Sequence, residues 1–196
     1  MKVILEEYLQ GIAAATERIA RCEMAMSDLL GKWRLAPAVR ALIAMKGFQM
    51  VAAMILVSEL GEVHRFVHPR QMMAYLGLVP TEKTSSDKRR LGRISKCGNA
   101  HLLWLLVECA QHYAAPPKVS AHLSRRQEGQ TKAVRPISWR AQNRLHYRYR
   151  GLLGRRLRRN KVAVAIAREL CGFICELLRT QECYHAATPA AGAVKQ

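Results

Sequence analysis

Apolar positions recur at helical spacing along most of the chain, starting almost at its first residue. Tyr8, Ile12, Ala15, Ile19, Cys22, Met26 and Leu29 follow one another at alternating intervals of four and three. This is a heptad seam, bracketed by Glu and Arg, and it predicts one long helix over residues 2–31. An amphipathic helix packed on its own domain would show the same stripe. Gly31 ends the segment and Pro37 opens the next. Short helices are then expected over Val39–Met45, over Met50–Leu60 with Gly61 closing it, and over Pro69–Leu76 before Gly77. Leu102–Ala110 and Val162–Leu178 are strongly apolar and read as core helices, and Ile137–Leu157 reads as a very basic one. Between them Ala114–Arg135 is polar, carries Pro116, Pro117 and Gly129, and reads as a connector. The stretch Gly77–Asn99 has no helical period; extended chain is expected only in short pieces near Leu78 and Ile94. The expected fold is mainly α: a coiled-coil-like helix over 1–33, a helical domain over 34–180 and an Ala-rich flexible tail over 181–196. No internal repeat is evident.

Composition narrows the function. Half of the 196 residues are apolar, enough for a real core. The longest uncharged apolar run, Met50–Val57, is far shorter than the ~20 residues of a membrane helix, and Glu6 and Glu7 interrupt any signal-peptide pattern. Against 32 Lys and Arg stand 14 Asp and Glu, a formal charge of +18. The window Lys88–Arg168 holds 20 of the cations and only two acids, Glu108 and Glu128, so the whole excess sits there. Such a localised charge points to a polyanion, nucleic acid before acidic lipid. Asp28 and Asp87 are the only aspartates, too few and too far apart in sequence for a two-metal nuclease site. The six cysteines form no CxxC pair and read as reduced thiols, mostly buried, of a cytosolic protein.

Four features carry candidate chemistry. Lys46-Gly47-Phe48-Gln49 between two helices resembles a helix-hairpin-helix turn, which aims backbone N–H groups and a helix N-terminus at a phosphate; Gln49 stands where a second glycine is usual, and a plain helical hairpin fits as well. Ser85 and Ser86 precede Lys88, Arg89, Arg90, Arg93 and Lys96, cations able to stabilise charge on a phosphate under attack by a hydroxyl; the residues alone fit an ordinary phosphate-binding loop as well. Asn99, after Gly98, is suited to cap the apolar helix or to face a phosphate from its start. Arg140, Arg144, Arg148 and Arg155 recur at helical spacing among Trp139, His146, Tyr147 and Tyr149, offering charge and stacking to single strands or structured RNA.

Several of these segments together resemble a known family. Leu56–Gly61, Arg65-Phe66, Pro69–Gln71 and Tyr75–Pro80 lead into Ser85-Ser86, Gly92–Lys96 and Gly98-Asn99, and later into Ile137–Gln142 and Val164–Leu170. This series, over about residues 3–180, is similar to the C-terminal half of the serine-containing DEDD insertion-sequence transposases, the RNA-bridged recombinases. The resemblance implies a coiled coil over the first helix and a transposase domain after it. It implies a serine nucleophile, carried over best onto Ser86 with Ser85 as the adjacent alternative. It implies DNA as substrate, a structured bridging RNA, and pairing with a second copy or a full-length transposase through the N-terminal helix. Mg²⁺ is expected only in the family's RuvC-like domain, which this sequence lacks, so no cofactor is assigned to the chain itself. The family's usual glycine after the serine is Asp87 here. The resulting expectation is a truncated copy, inactive alone, located in the bacterial cytoplasm at the nucleoid. The alternative is a non-catalytic DNA- or RNA-binding module that regulates full-length copies.

Overall fold

The computed structural model describes residues 2–85, 88–95 and 97–180. Among these the chain is mainly helical, with eight α-helices and one two-stranded antiparallel sheet. It divides into two compact units, Met1–Ala36 and the chain from Pro37 onward.

The first unit is essentially α1 (Lys2–Lys32), 31 residues and therefore about 46 Å long. The heptad seam runs along it as expected. Tyr8, Ile12, Ile19 and Leu29 are exposed on its surface.

The second unit begins with α2 (Ala36–Ile43) and α3 (Met50–Leu60), the pair that the apolar runs predict. The tight turn between them is fitted into the protein body. The Ala44 carbonyl accepts from Ser138 Oγ at 2.9 Å and from Gln127 Nε2 at 3.0 Å, and Arg126 donates to the Phe48 carbonyl at 2.6 Å. Ser138 and Gln127 are buried, so this network satisfies polar groups that would otherwise be costly in a core. Gly47 has φ +91°, and a Cβ there would lie 2.7 Å from the Cys109 carbonyl oxygen. No other residue type fits that approach without moving backbone.

α4 (Pro69–Tyr75) precedes a β-hairpin of β1 (Pro80–Ser85) and β2 (Lys88–Ile94). The register pairs Ser85 with Lys88, Thr84 with Arg89 and Lys83 with Arg90, with an irregularity between Pro80 and Glu82. The extended structure is thus longer than the short pieces expected from sequence. α5 (Ala100–Gln111) follows, capped by Asn99, whose Oδ1 accepts from Leu102 N at 3.0 Å. The expected connector contains one more helix, α6 (Ala121–Arg126), started by Ser120 Oγ accepting from Leu123 N and held by buried Leu123.

α7 (Val134–Gly154) and α8 (Arg159–Arg179) complete the core. α8 is its centre, packing against α4, α5 and α7. Val162, Ile166, Ala167, Leu170, Cys171, Ile174 and Leu178 are all fully buried along it. The basic helix expected over Ile137–Leu157 starts earlier and stops earlier. Arg155 caps its C-terminus, Arg156 takes φ +58°, and Arg158 is the N-cap of α8. No described helix is long and apolar enough to cross a membrane.

Candidate nucleic-acid interface

The hairpin is rooted by bonds between its two ends. Ser95 N donates to the Val79 carbonyl at 2.8 Å and Asn99 N to the Tyr75 carbonyl at 3.1 Å. Gly98 lies so close to the α4 terminus that a Cβ would sit 2.3 Å from the Tyr75 oxygen and 2.7 Å from Gly77 N. From this root, five residue steps of strand carry the chain about 17 Å to Ser85, the last residue of β1. Ser86 lies outside the described residues, as do Asp87 and Lys96. Lys88, Arg89 and Arg90 are placed on β2 by their backbone register alone.

Beside the hairpin root opens a cleft of about 1070 Å³ between the root itself, α4, α7 and the first turns of α8. Six cations line it: Arg70, Arg93, Arg148, Arg158, Lys161 and Arg168. Glu169 is the one carboxylate in the lining. The first turn of α8 carries no acidic residue, and its Arg158 N-cap offers no side-chain bond to the free N–H groups there. The helix therefore adds its positive end to the cations already present. Arg70, Lys161 and Arg168 were not among the residues picked out from sequence, whereas Arg158 is the last arginine of the recurring basic series. A cue existed: Arg158, Lys161 and Arg168 are spaced by three and seven along the amphipathic α8.

Three arginines of the α7 row meet carboxylates of α8. Arg140 pairs with Glu176. Arg144 Nε lies 3.2 Å from Glu169 Oε2 and Arg148 Nε 3.1 Å from Glu169 Oε1. Four-residue spacing does set the three guanidiniums on one face, and that face meets the carboxylate row of α8. They remain about half exposed or more, so the pairs are solvated and each is worth only about 0.2–1 kcal/mol. Arg148 belongs to both the row and the cleft. Arg155 is beyond the helix and outside the row.

Lys46 is bonded within the protein, its ammonium donating to the Ala115 and Pro116 carbonyls at 3.1 and 2.9 Å. Partial burial lowers its pKa. With Gly47 against Cys109, these contacts help seat the turn on α5 and the segment following it.

Asn99 joins a network that sequence reading did not find. Its Nδ2 donates to Glu59 Oε2 at 2.8 Å, and His101 Nδ1 stands 2.5 Å from Glu59 Oε1. Asn99's bond, more than the His101 contacts, holds the Glu59 pKa below its ordinary value against a smaller opposing effect of burial. His101 and Trp104 lie nearly parallel, ring centroids 6.4 Å apart. The i, i+3 spacing of these two rings on an apolar helix was the available signal. Glu59 is some forty residues away in sequence and gave none.

The hairpin, with serine at its far end, is thus rooted against a six-cation cleft, and comparison with known proteins shows what the chain is similar to. Residues 39–124 match the transposase IS116/IS110/IS902 family. The matched transposase segment includes both strands of the hairpin, its root and the whole of α5. A protein of Sinorhizobium fredii named as the transposase y4qE is 40% identical over 157 residues, 80% of this chain and 40% of that protein. A family 20 transposase of Pseudomonas aeruginosa is 29% identical over 185 residues, 94% of this chain and 47% of the relative. The transposase for insertion sequence element IS1111A of Coxiella burnetii is 37% identical over 65 residues, 33% of this chain and 18% of the relative. The chain thus spans less than half the length of each of these relatives.

Proposed function

We propose that this chain is the serine-bearing, DNA-holding part of an insertion-sequence transposase of the serine-containing DEDD kind. The observation that carries the reading is the hairpin: it ends at Ser85, with Ser86 next in sequence, and its root forms one wall of the cationic cleft. A DNA strand seated in the cleft would meet the serine about five nucleotides along, at 3.4 Å per nucleotide over about 17 Å. The Ser86 hydroxyl, or that of Ser85, then attacks a phosphodiester. A serine O–P bond forms, the bond to the departing sugar oxygen breaks, and the hydroxyl proton passes to a base while the sugar oxygen takes one up. The cations of β2 stabilise the charge that accumulates on the phosphate.

The carboxylates for Mg²⁺ are not supplied here. The described residues contain no group of three or more His, Cys, Asp or Glu suited to a metal, and the chain holds two aspartates. Mg²⁺ is proposed to be held by a RuvC-like domain outside the described residues, and no step is derived through it. α1 with its exposed seam is the proposed contact to a partner, either another copy or a full-length transposase, and a bridging RNA is proposed to align donor and target DNA. The second reading, carried by the concentration of cations in Lys88–Arg168 alone, is a binding module that regulates full-length copies.

One experiment separates the two. The chain is mixed with a full-length relative and a labelled duplex from the element's end, and denaturing gels are scored for protein–DNA adducts of this chain's mass. The catalytic reading predicts an adduct that disappears with Ser86→Ala, or with Ser85→Ala if the adjacent hydroxyl acts. Salt-sensitive binding with no adduct in any mixture supports the module.

A further inference from the structure

We propose that His101 and Trp104 on α5 form a shelf on which one unpaired nucleobase of the bound DNA strand stacks. The proposal rests on the reading of the neighbouring cleft as a DNA interface. The rest of α5 turns its large apolar residues inward, with Leu102, Leu105 and Leu106 buried. Trp104 instead is 59% exposed, an indole held in water on a helix that has a core to offer. The imidazole of His101 stacks against it at 11° between ring planes. The exposed indole, with its plane aligned to that of His101, presents a flat face of the kind that bases stack on in single-strand binding proteins.

The shelf is held in place before any ligand arrives. A carboxylate can only accept a hydrogen bond, so Glu59 Oε1 at 2.5 Å fixes the proton of His101 on Nδ1 and the orientation of the ring. Glu59 is in turn fixed by Asn99, and Asn99 by the α5 backbone and by Tyr75 at the hairpin root. The ordering cost of binding is correspondingly small. With Nδ1 occupied, Nε2 is the polar atom left at the ring edge to meet the edge of a base.

The surroundings select a base over the other parts of a partner. Glu59 and Glu108 put negative charge beside the rings, which repels a phosphate group but not a neutral base. Glu108 and Gln111 are exposed on α5 at helical spacing from Trp104, so polar side chains flank the indole. The same root that holds Asn99 borders the cationic cleft, which places the shelf and the cleft on one structural unit.

The test compares two labelled single-stranded DNA 20-mers, one of mixed sequence and one abasic throughout, by fluorescence anisotropy with the full chain. The phosphates are the same and only the bases differ. The wild type is expected to bind the base-bearing strand about tenfold more tightly. Trp104→Ala should remove most of that preference, and Trp104→Phe, which keeps a ring, should restore much of it. Arg158→Gln with Lys161→Gln and Arg168→Gln should weaken both strands equally. If Trp104→Ala leaves the preference intact, or the wild type has none while the cleft changes still weaken binding, the shelf is refuted and the cleft stands. If the cleft changes weaken neither strand, the reading beneath the proposal falls with it.

Discussion

Glu169 holds two guanidiniums that a phosphate would otherwise engage, so removing its charge should strengthen DNA binding. Its Oε2 and Oε1 lie 3.2 and 3.1 Å from Arg144 and Arg148, and the carboxylate itself lines the cationic cleft. Glu169→Gln keeps the shape and abolishes the ion pairs. Each pair is half-exposed, so the two together are worth roughly 0.4–2 kcal/mol after solvent screening. A bound phosphate has to displace that amount, and the release corresponds to an affinity gain of about two- to thirtyfold at low salt. One additional phosphate contact would also steepen the dependence of log K on log salt by about one unit. The cost to stability should stay under about 2 kcal/mol. Fluorescence anisotropy with a duplex 30-mer over a salt series, beside urea unfolding, measures all three. Weaker binding by Glu169→Gln, with stability unchanged, would refute the reasoning, because it would mean that the pairs orient the arginines for DNA and do not compete with it.

Two further outcomes follow from the interior. Gly47→Ala sets a methyl group 2.7 Å from the Cys109 carbonyl at a backbone angle of φ +91°; a loss of about 2–4 kcal/mol is expected in urea unfolding, and a loss under 1 kcal/mol would show that the turn is not seated on α5 as described. Burial pushes the Cys109 thiol up to about 12 and Cys175 to about 11, and raises Cys171 and Tyr113 as well. Unfolded thiols ionise near pH 8.5. Between that value and the folded ones the native state holds more protons than the unfolded chain, so stability should fall as pH rises above about 8.5. Over the same range maleimide should label the exposed Cys22 and Cys97 and spare the three buried thiols; early labelling of Cys171 would contradict its placement in the core.

What could be read in the sequence was what local chemistry dictates. The α1 period, the end of α3 at Gly61 and the Asn99 cap each depend on neighbours within a few residues, and each is found where expected. α6 was hidden because a six-residue helix leaves little periodicity between Pro117 and Gly129. Thr81–Ser85 and Lys88–Arg90 show no apolar–polar alternation, the signal that marks a strand. The arginines of α7 were placed on one face correctly, but their partners on α8 depend on how two helices pack, which spacing within one helix does not contain. The cleft is non-local in the same way, drawing Arg70, Arg93, Arg148 and Arg168 from four separate elements. Glu59, fixed by Asn99 and fixing His101, lies beyond the reach of any local pattern.

The central claim, that the cationic cleft at the hairpin root is the DNA-binding surface, is tested most directly by the salt dependence of duplex binding. The slope of log K against log salt is measured for the wild type and for the combined Arg158→Gln, Lys161→Gln and Arg168→Gln variant. At about 0.9 per phosphate contact the slope should become shallower by nearly three units in the variant. An unchanged slope, with the variant folded as the wild type, would place the bound DNA elsewhere on the chain.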